Sequence, residues 1–156
     1  MDVLEHLEEE HRKVEQLIAA LEATTTTAER ELLLADLGDS LAKHMDVEEE
    51  RLYPIVEERM DSDVARRANT EHDKARDDLA LLVEEADRSG FADALARFKE
   101  DIGHHVTEEE TYIFPNLRAN AAHDIADLGD PHKLEDEVQQ ELIDENVELI
   151  DESLAR

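Results

Sequence analysis

The sequence predicts an all-α protein: an up-down-up-down antiparallel four-helix bundle with an internal two-fold repeat, plus an additional C-terminal helix. Three observations predict it. Apolar residues recur every three and four positions over four long segments, the spacing of one buried helical seam. Glycine and proline number only four and three in 156 residues, so little interrupts those segments. When the chain is shifted by 61 residues, HMDVEEERLYP falls on HVTEEETYIFP as two copies of one module.

The first helix carries Leu4, Leu7, His11, Val14, Ile18 and Leu21 and stops at the threonine run 24–27. The second carries Leu34, Leu37, Leu41, His44, Glu48, Leu52 and Ile55 and stops near Asp61 and Ser62. In the third, Ala65, Ala68, His72, Ala75, Leu79, Leu82 and Ala86 lead to Ser89 and Gly90. The fourth runs through Leu95, Phe98, Ile102, His105, Glu109, Tyr112 and Asn116 and frays near Asn120. Short connections pack sequential helices antiparallel. Pro54 and Pro115 kink helices two and four rather than end them, because apolar positions continue beyond each. A fifth segment, Pro131 to Leu154, carries Leu134, Val138, Leu142, Val147 and Ile150 among acidic residues. It reads as a helix that pads the flank or mediates dimerisation, or as a frayed acidic tail. Residues 1–120 are thus expected to form the bundle, and 121–156 an acidic helical extension packed on it.

Composition removes several function classes. The absence of cysteine excludes disulfides, thiolate metal sites and cysteine nucleophiles together. MDVLEHLEEEH has neither the basic region nor the apolar run of a signal peptide. No apolar stretch approaches the ~20 residues of a membrane helix, so a cytoplasmic protein is expected. Net charge is −28, from 44 acidic and 16 basic residues, and such a surface repels nucleic acid and anionic lipid. It suits either high intracellular salt, which screens self-repulsion, or simple solubility. No Ser/His/Asp triad, phosphate loop or nucleotide motif is present.

The chemistry lies in the seams. Four of the eight histidines and two glutamates interrupt the apolar rows. Burying such groups without partners costs on the order of several kcal/mol each. A metal centre removes that cost; a hydrogen-bonded His/Glu network without an ion is the alternative. His44 and Glu48 are four residues apart, as are His105 and Glu109, so each pair projects from one helical face. The 61-residue shift lays His11 on His72, His44 on His105 and Glu48 on Glu109. Each half then supplies one histidine from its first helix and a His/Glu pair from its second. A pseudo-two-fold site follows, with two metal ions bridged by the two carboxylates.

Other candidates rank lower. His104 lies off the seam, His6 reads as peripheral, and His123 and His132 read as exposed or capping. Glu49, Glu50, Glu108 and Glu110 read as solvated, with Glu110 also a substitute carboxylate ligand. Tyr112 follows Glu109 by three residues on the same ideal face, where a phenol packs, bonds a bound ligand or ligates an ion. Tyr53 falls off that face unless Pro54 swings it inward.

The pattern H…HxxxE…H…HxxxE over residues 1–118 resembles the haemerythrin family, in its HHE cation-binding subgroup. The resemblance implies a four-helix bundle with an oxo- or hydroxo-bridged non-haem di-iron centre on His11, His44, Glu48, His72, His105 and Glu109. It also implies a small-molecule ligand (dioxygen, nitric oxide or hydrogen peroxide) or a role in storing or sensing iron; a metal-free helical interaction module is the remaining alternative, and a monomer or homodimer is expected. If the protein is an enzyme, the implied class is a di-iron oxidoreductase, such as a peroxide-decomposing activity. Oxygen carriers of the family have a further histidine where this chain has Arg76, and an aspartate where it has Glu110. Four histidines leave an additional coordination position, which suits a centre that reacts more than a reversible carrier. Iron follows from the family; zinc or manganese suit the same nitrogen and oxygen donors.

Overall fold

The computed structural model describes residues 1–155. Eight helices are formed and no strand occurs among the described residues: α1 Val3–Glu22, α2 Thr27–Val47, α3 Tyr53–Arg59, α4 Ser62–Glu85, α5 Phe91–Glu108, α6 Phe114–Asn120, α7 Ala122–Asp127 and α8 Pro131–Leu154. Turns of π-helix at Glu48–Leu52 and Glu109–Ile113 join α2 to α3 and α5 to α6. The bundle therefore has four rods, α1, α2–α3, α4 and α5–α6, with α8 laid against α2.

Local sequence explains where helices start. Asp2 and Glu5 form a reciprocal capping box on α1, with bonds of 2.9 and 3.1 Å. Thr26 and Asp61 accept backbone N–H bonds at the starts of α2 and α4. Asp130 does so for α8, where Pro131 occupies the first turn at no hydrogen-bond cost. Gly129, at φ 77°, supplies the left-handed residue that separates α7 from α8.

Two apolar clusters fill the bundle, one at each end. Leu4, Leu7, Leu52, Val56, Ala68, Ile113, Phe114 and Leu117 occupy one end, joined by Leu134 and Val138 of α8. Leu17, Ile18, Leu21, Leu37, Leu41, Leu82, Phe91, Leu95 and Phe98 occupy the other. The seams expected from sequence are buried apart from the half-buried Leu79, with one systematic slip. Beyond Glu48 and Glu109 the core residues are Val56 in place of Ile55, and Ile113 and Leu117 in place of Tyr112 and Asn116.

The slip has a covalent cause. Proline lacks an N–H and its ring crowds the carbonyl four residues back. In place of an ordinary turn before Pro54, the Tyr53 N–H bonds to the Glu48 carbonyl, five residues back; Phe114 and Glu109 repeat this before Pro115. Each wide turn holds one residue more, and everything after it rotates by one position. The kink expected at the two prolines is thus a π turn ahead of each.

Candidate metal centre

His11 on α1, His44 on α2, His72 on α4 and His105 on α5 meet between the two apolar clusters, all buried. Glu48 and Glu109, each the first residue of a π turn, join them with no exposed surface. All six residues expected from the seams are therefore brought together. The rings pair by half of the repeat: His11 with His44 and His72 with His105, both at 4.8 Å between centroids. The carboxylates lie between the pairs. Glu48 Oε1 is 2.9 Å from His44 Nε2 and 3.2 Å from His72 Nε2. Glu109 Oε1 is 3.2 Å from His11 Nε2 and 3.3 Å from His105 Nε2. Each carboxylate thus contacts one histidine from each half of the repeat.

Every imidazole is held from behind. Its Nδ1 faces a carboxylate: Glu110 at 3.0 Å from His11, Glu10 at 3.1 Å from His44, Glu49 at 2.7 Å from His72 and Glu71 at 3.2 Å from His105. An ionised carboxylate only accepts, so each Nδ1 donates and each Nε2 faces inward, where it can offer a lone pair to a cation. Burial raises Glu10, Glu49 and Glu71, but their histidine partners outweigh it and hold them below the usual carboxylate range. Arg76 also bonds Glu49 at 2.5 Å, and Arg12 bonds Glu110. These four glutamates were missed in the sequence, where Glu49 and Glu110 read as solvated. The signal was present: Glu10 and Glu71, like Glu49 and Glu110, are 61 residues apart, and each adjoins a core residue.

The tyrosines exchange places relative to the sequence expectation. Tyr112 is 49% exposed, because the π turn carries it off the seam. Tyr53 is buried in the site. Its hydroxyl donates to Glu109 Oε2 at 2.9 Å and lies 2.9 Å from His72 Nε2 and 3.3 Å from His105 Nε2. Burial, then the Glu109 charge, pushes its pKa well above the ordinary value, so it remains a phenol. Its counterpart in the repeat, Phe114, stacks on His11 at 5.9 Å and brings no oxygen. The two halves are therefore chemically unequal. On the opposite side, Val14, Leu41, Met45, Ile102 and Val106 line a narrow apolar cavity against the four rings, with room for about one water-sized guest.

Protein partners alone leave this layer incomplete. His11 Nε2, both oxygens of Glu48 and Glu109 Oε1 are buried without a hydrogen bond. Four such atoms facing one another in an apolar core are what cations satisfy. Two groups have their ligand atoms within 4.8 Å of one another: His11, His44, Glu48 and Glu109, and Glu48, His72 and His105. Without a cation, protons take its place. Burial pulls His44 down, but Glu48 and Glu10 push it up to about 10, and His72 and His105 are raised by the same kind of neighbours. Glu109 is held well below its ordinary value, burial notwithstanding, by His105.

The other histidines lie elsewhere: His104 is surface-exposed, as expected, and His6 is buried beside α8, contrary to its peripheral reading. No curated protein and no solved structure gives a match. The family description "Hemerythrin HHE cation binding domain" matches residues 2–117 and again, at an offset, 65–154, as an internally repeated chain does. A bundle with a buried, carboxylate-braced His/Glu layer and a family match across most of its length lead to one assignment: the chain belongs to the haemerythrin HHE cation-binding domain family.

Proposed function

We propose that His11, His44, Glu48, His72, His105 and Glu109 hold two metal ions, iron before zinc or manganese, and that the centre binds or reacts with a small oxidant. The observation that carries this reading is the set of four inward Nε2 atoms, each fixed by a carboxylate on its Nδ1, around two carboxylates with unpaired oxygens. Bound iron would supply redox chemistry and open coordination positions for dioxygen, nitric oxide or hydrogen peroxide. The chain's own groups set the conditions. Glu10, Glu49, Glu71 and Glu110 orient the rings and increase their basicity. Tyr53 holds a proton at its Oη beside the second histidine pair, and Phe114 keeps the first pair free of a competing oxygen. Val14, Leu41, Met45, Ile102 and Val106 line the apolar side of the layer and leave room for about one water-sized guest.

Metal content and the visible spectrum of freshly purified protein test the centre. Two irons per chain are expected. Full iron content together with inertness to peroxide, nitric oxide and dioxygen would remove the reactive branch; absence of any metal would remove the centre. Chelation is expected to lower the melting temperature. At free metal about 1,000 times Kd, binding adds about 4 kcal/mol, or about 8 to 16 °C for a chain of this size.

An iron sensor is the second reading, favoured by Glu10, which meets His44 and His6, and by His6, whose Nε2 meets Glu135 of α8 and so connects the layer to that helix. On that reading residues 1–120 are the binding domain and 121–156 the reporting extension. Iron removal must then change the oligomeric state, and an unchanged state excludes it.

A further inference from the structure

A second convergence of imidazoles and carboxylates lies between α1 and α8. His6, only 8% exposed, directs its Nε2 to Glu135 Oε1 at 2.8 Å and to Glu10 Oε2 at 3.7 Å. The His132 ring stands edge-on to His6 with centroids 4.8 Å apart. One donor atom each from His6, His132 and Glu135 falls within a common 4.8 Å. The arrangement repeats the logic of the core in miniature. His6 and Glu10 are four residues apart on α1, and His132 and Glu135 three apart on α8, so each helix offers a His/Glu pair from one face.

Charge argues that something cationic belongs there. Burial, followed by the neighbouring Glu10 carboxylate, raises Glu135. No lysine or arginine bridge to either occurs among the described residues; their ionic partners are His6 and His44. A cleft of about 350 Å³, lined by Glu10, Glu135, Asp36 and Asp39 together with Lys13 and Lys43, opens beside the pair. The surface trio Glu71, His104 and Glu108 differs, because Arg67 already pairs with Glu108 and none of its three residues is buried.

We propose that His6, His132 and Glu135, with Glu10 as fourth ligand, bind one divalent transition-metal ion of the zinc class. The ion clips α8 to α1. Two imidazoles and two carboxylates without thiolate are a tetrahedral zinc-type donor set. The start of α8 delivers its half: Asp130 caps the helix and Pro131 opens it, so an exposed His132 and a half-buried Glu135 fall in its first two turns. Glu10 spends its other oxygen on His44, so the ion also fixes a carboxylate that braces the core. The clip stands whether or not the core layer holds metal.

The test compares the full-length chain with the double variant His132→Ala/Glu135→Gln, whose altered residues lie outside the core layer. Both are titrated with zinc after equal core loading, and circular dichroism verifies that helix content is unchanged. The parent is expected to bind one zinc per chain more than the variant. Amide exchange over the first turns of α8 is expected to slow in the parent about 100-fold at free zinc about 100 times Kd, with no change in the variant. Equal zinc counts overturn the site. A difference of one zinc without slower exchange overturns the clip. Failure of the core to load lowers both counts equally, so the comparison distinguishes the two proposals.

Discussion

Glu10, Glu49, Glu71 and Glu110 decide how the histidines behave. Each carboxylate at an Nδ1 fixes which nitrogen faces the core, and also stabilises a proton when no cation is present. The metal-free chain should therefore show an inverted pH response. His44 is raised from 6.5 to about 10 in the fold. A raised folded pKa contributes stability that is complete below the unfolded value and lost as pH rises through the folded one. Metal-free protein should become less stable between pH about 6.5 and about 10 in urea titrations, and metal uptake should release protons at pH 7. A flat profile would mean that the layer is neutral without metal. Tyr53 and Tyr112 give a second contrast. Tyr53→Phe leaves the buried Glu109 Oε2 without its donor, at a cost of about 1 to 3 kcal/mol. Tyr112→Phe on the half-exposed face should change stability by less than about 0.5 kcal/mol. Equal effects in metal-free urea melts would place Tyr53 outside the site.

Among the elements, the π turns and α8 carry the consequences. Each π turn begins on a buried core glutamate and ends before a proline, so the widened turn both presents the carboxylate and swings Tyr53 or Phe114 inward. Along α8, Leu134 and Val138 enter the core, whereas Ile143, Val147, Ile150 and Leu154 are exposed. Burial predicts opposite outcomes for two conservative truncations. Leu134→Ala should cost about 2 to 5 kcal/mol, and Ile150→Ala less than about 0.5 kcal/mol. Thermal melts at low protein concentration measure both. A large loss for Ile150→Ala would show that the outer half of α8 is covered in solution.

For the whole molecule, charge is the dominant global term. With a net −28, repulsion among surface carboxylates outweighs scattered ion pairs such as Lys99 with Glu22 and Arg59 with Asp124, since exposed pairs contribute about 0 to 1 kcal/mol each. Raising sodium chloride from about 0.1 to about 1 M shortens the screening length from about 10 to about 3 Å and should stabilise the fold. A urea midpoint that falls with salt would show that attractive pairs dominate. None of the described helices is long and apolar enough to cross a membrane.

The sequence by itself determined the helical class, the four seams and the six interior histidines and glutamates. Helical periodicity is a local property, and His11, His44 and Glu109 break their apolar rows wherever the rows are later placed. The internal repeat determined the pseudo-symmetry in the same way. Tertiary structure decided what depends on rotation and on neighbours distant in the chain. Two one-residue slips ahead of Pro54 and Pro115 exchanged the roles of Tyr53 and Tyr112. Glu49 and Glu110 became braces because each reaches a histidine on another helix, 23 and 99 residues away. His6 became interior because α8 folds back over it. Periodicity shows that a side chain faces inward; only packing of the helices against one another determines what it meets there.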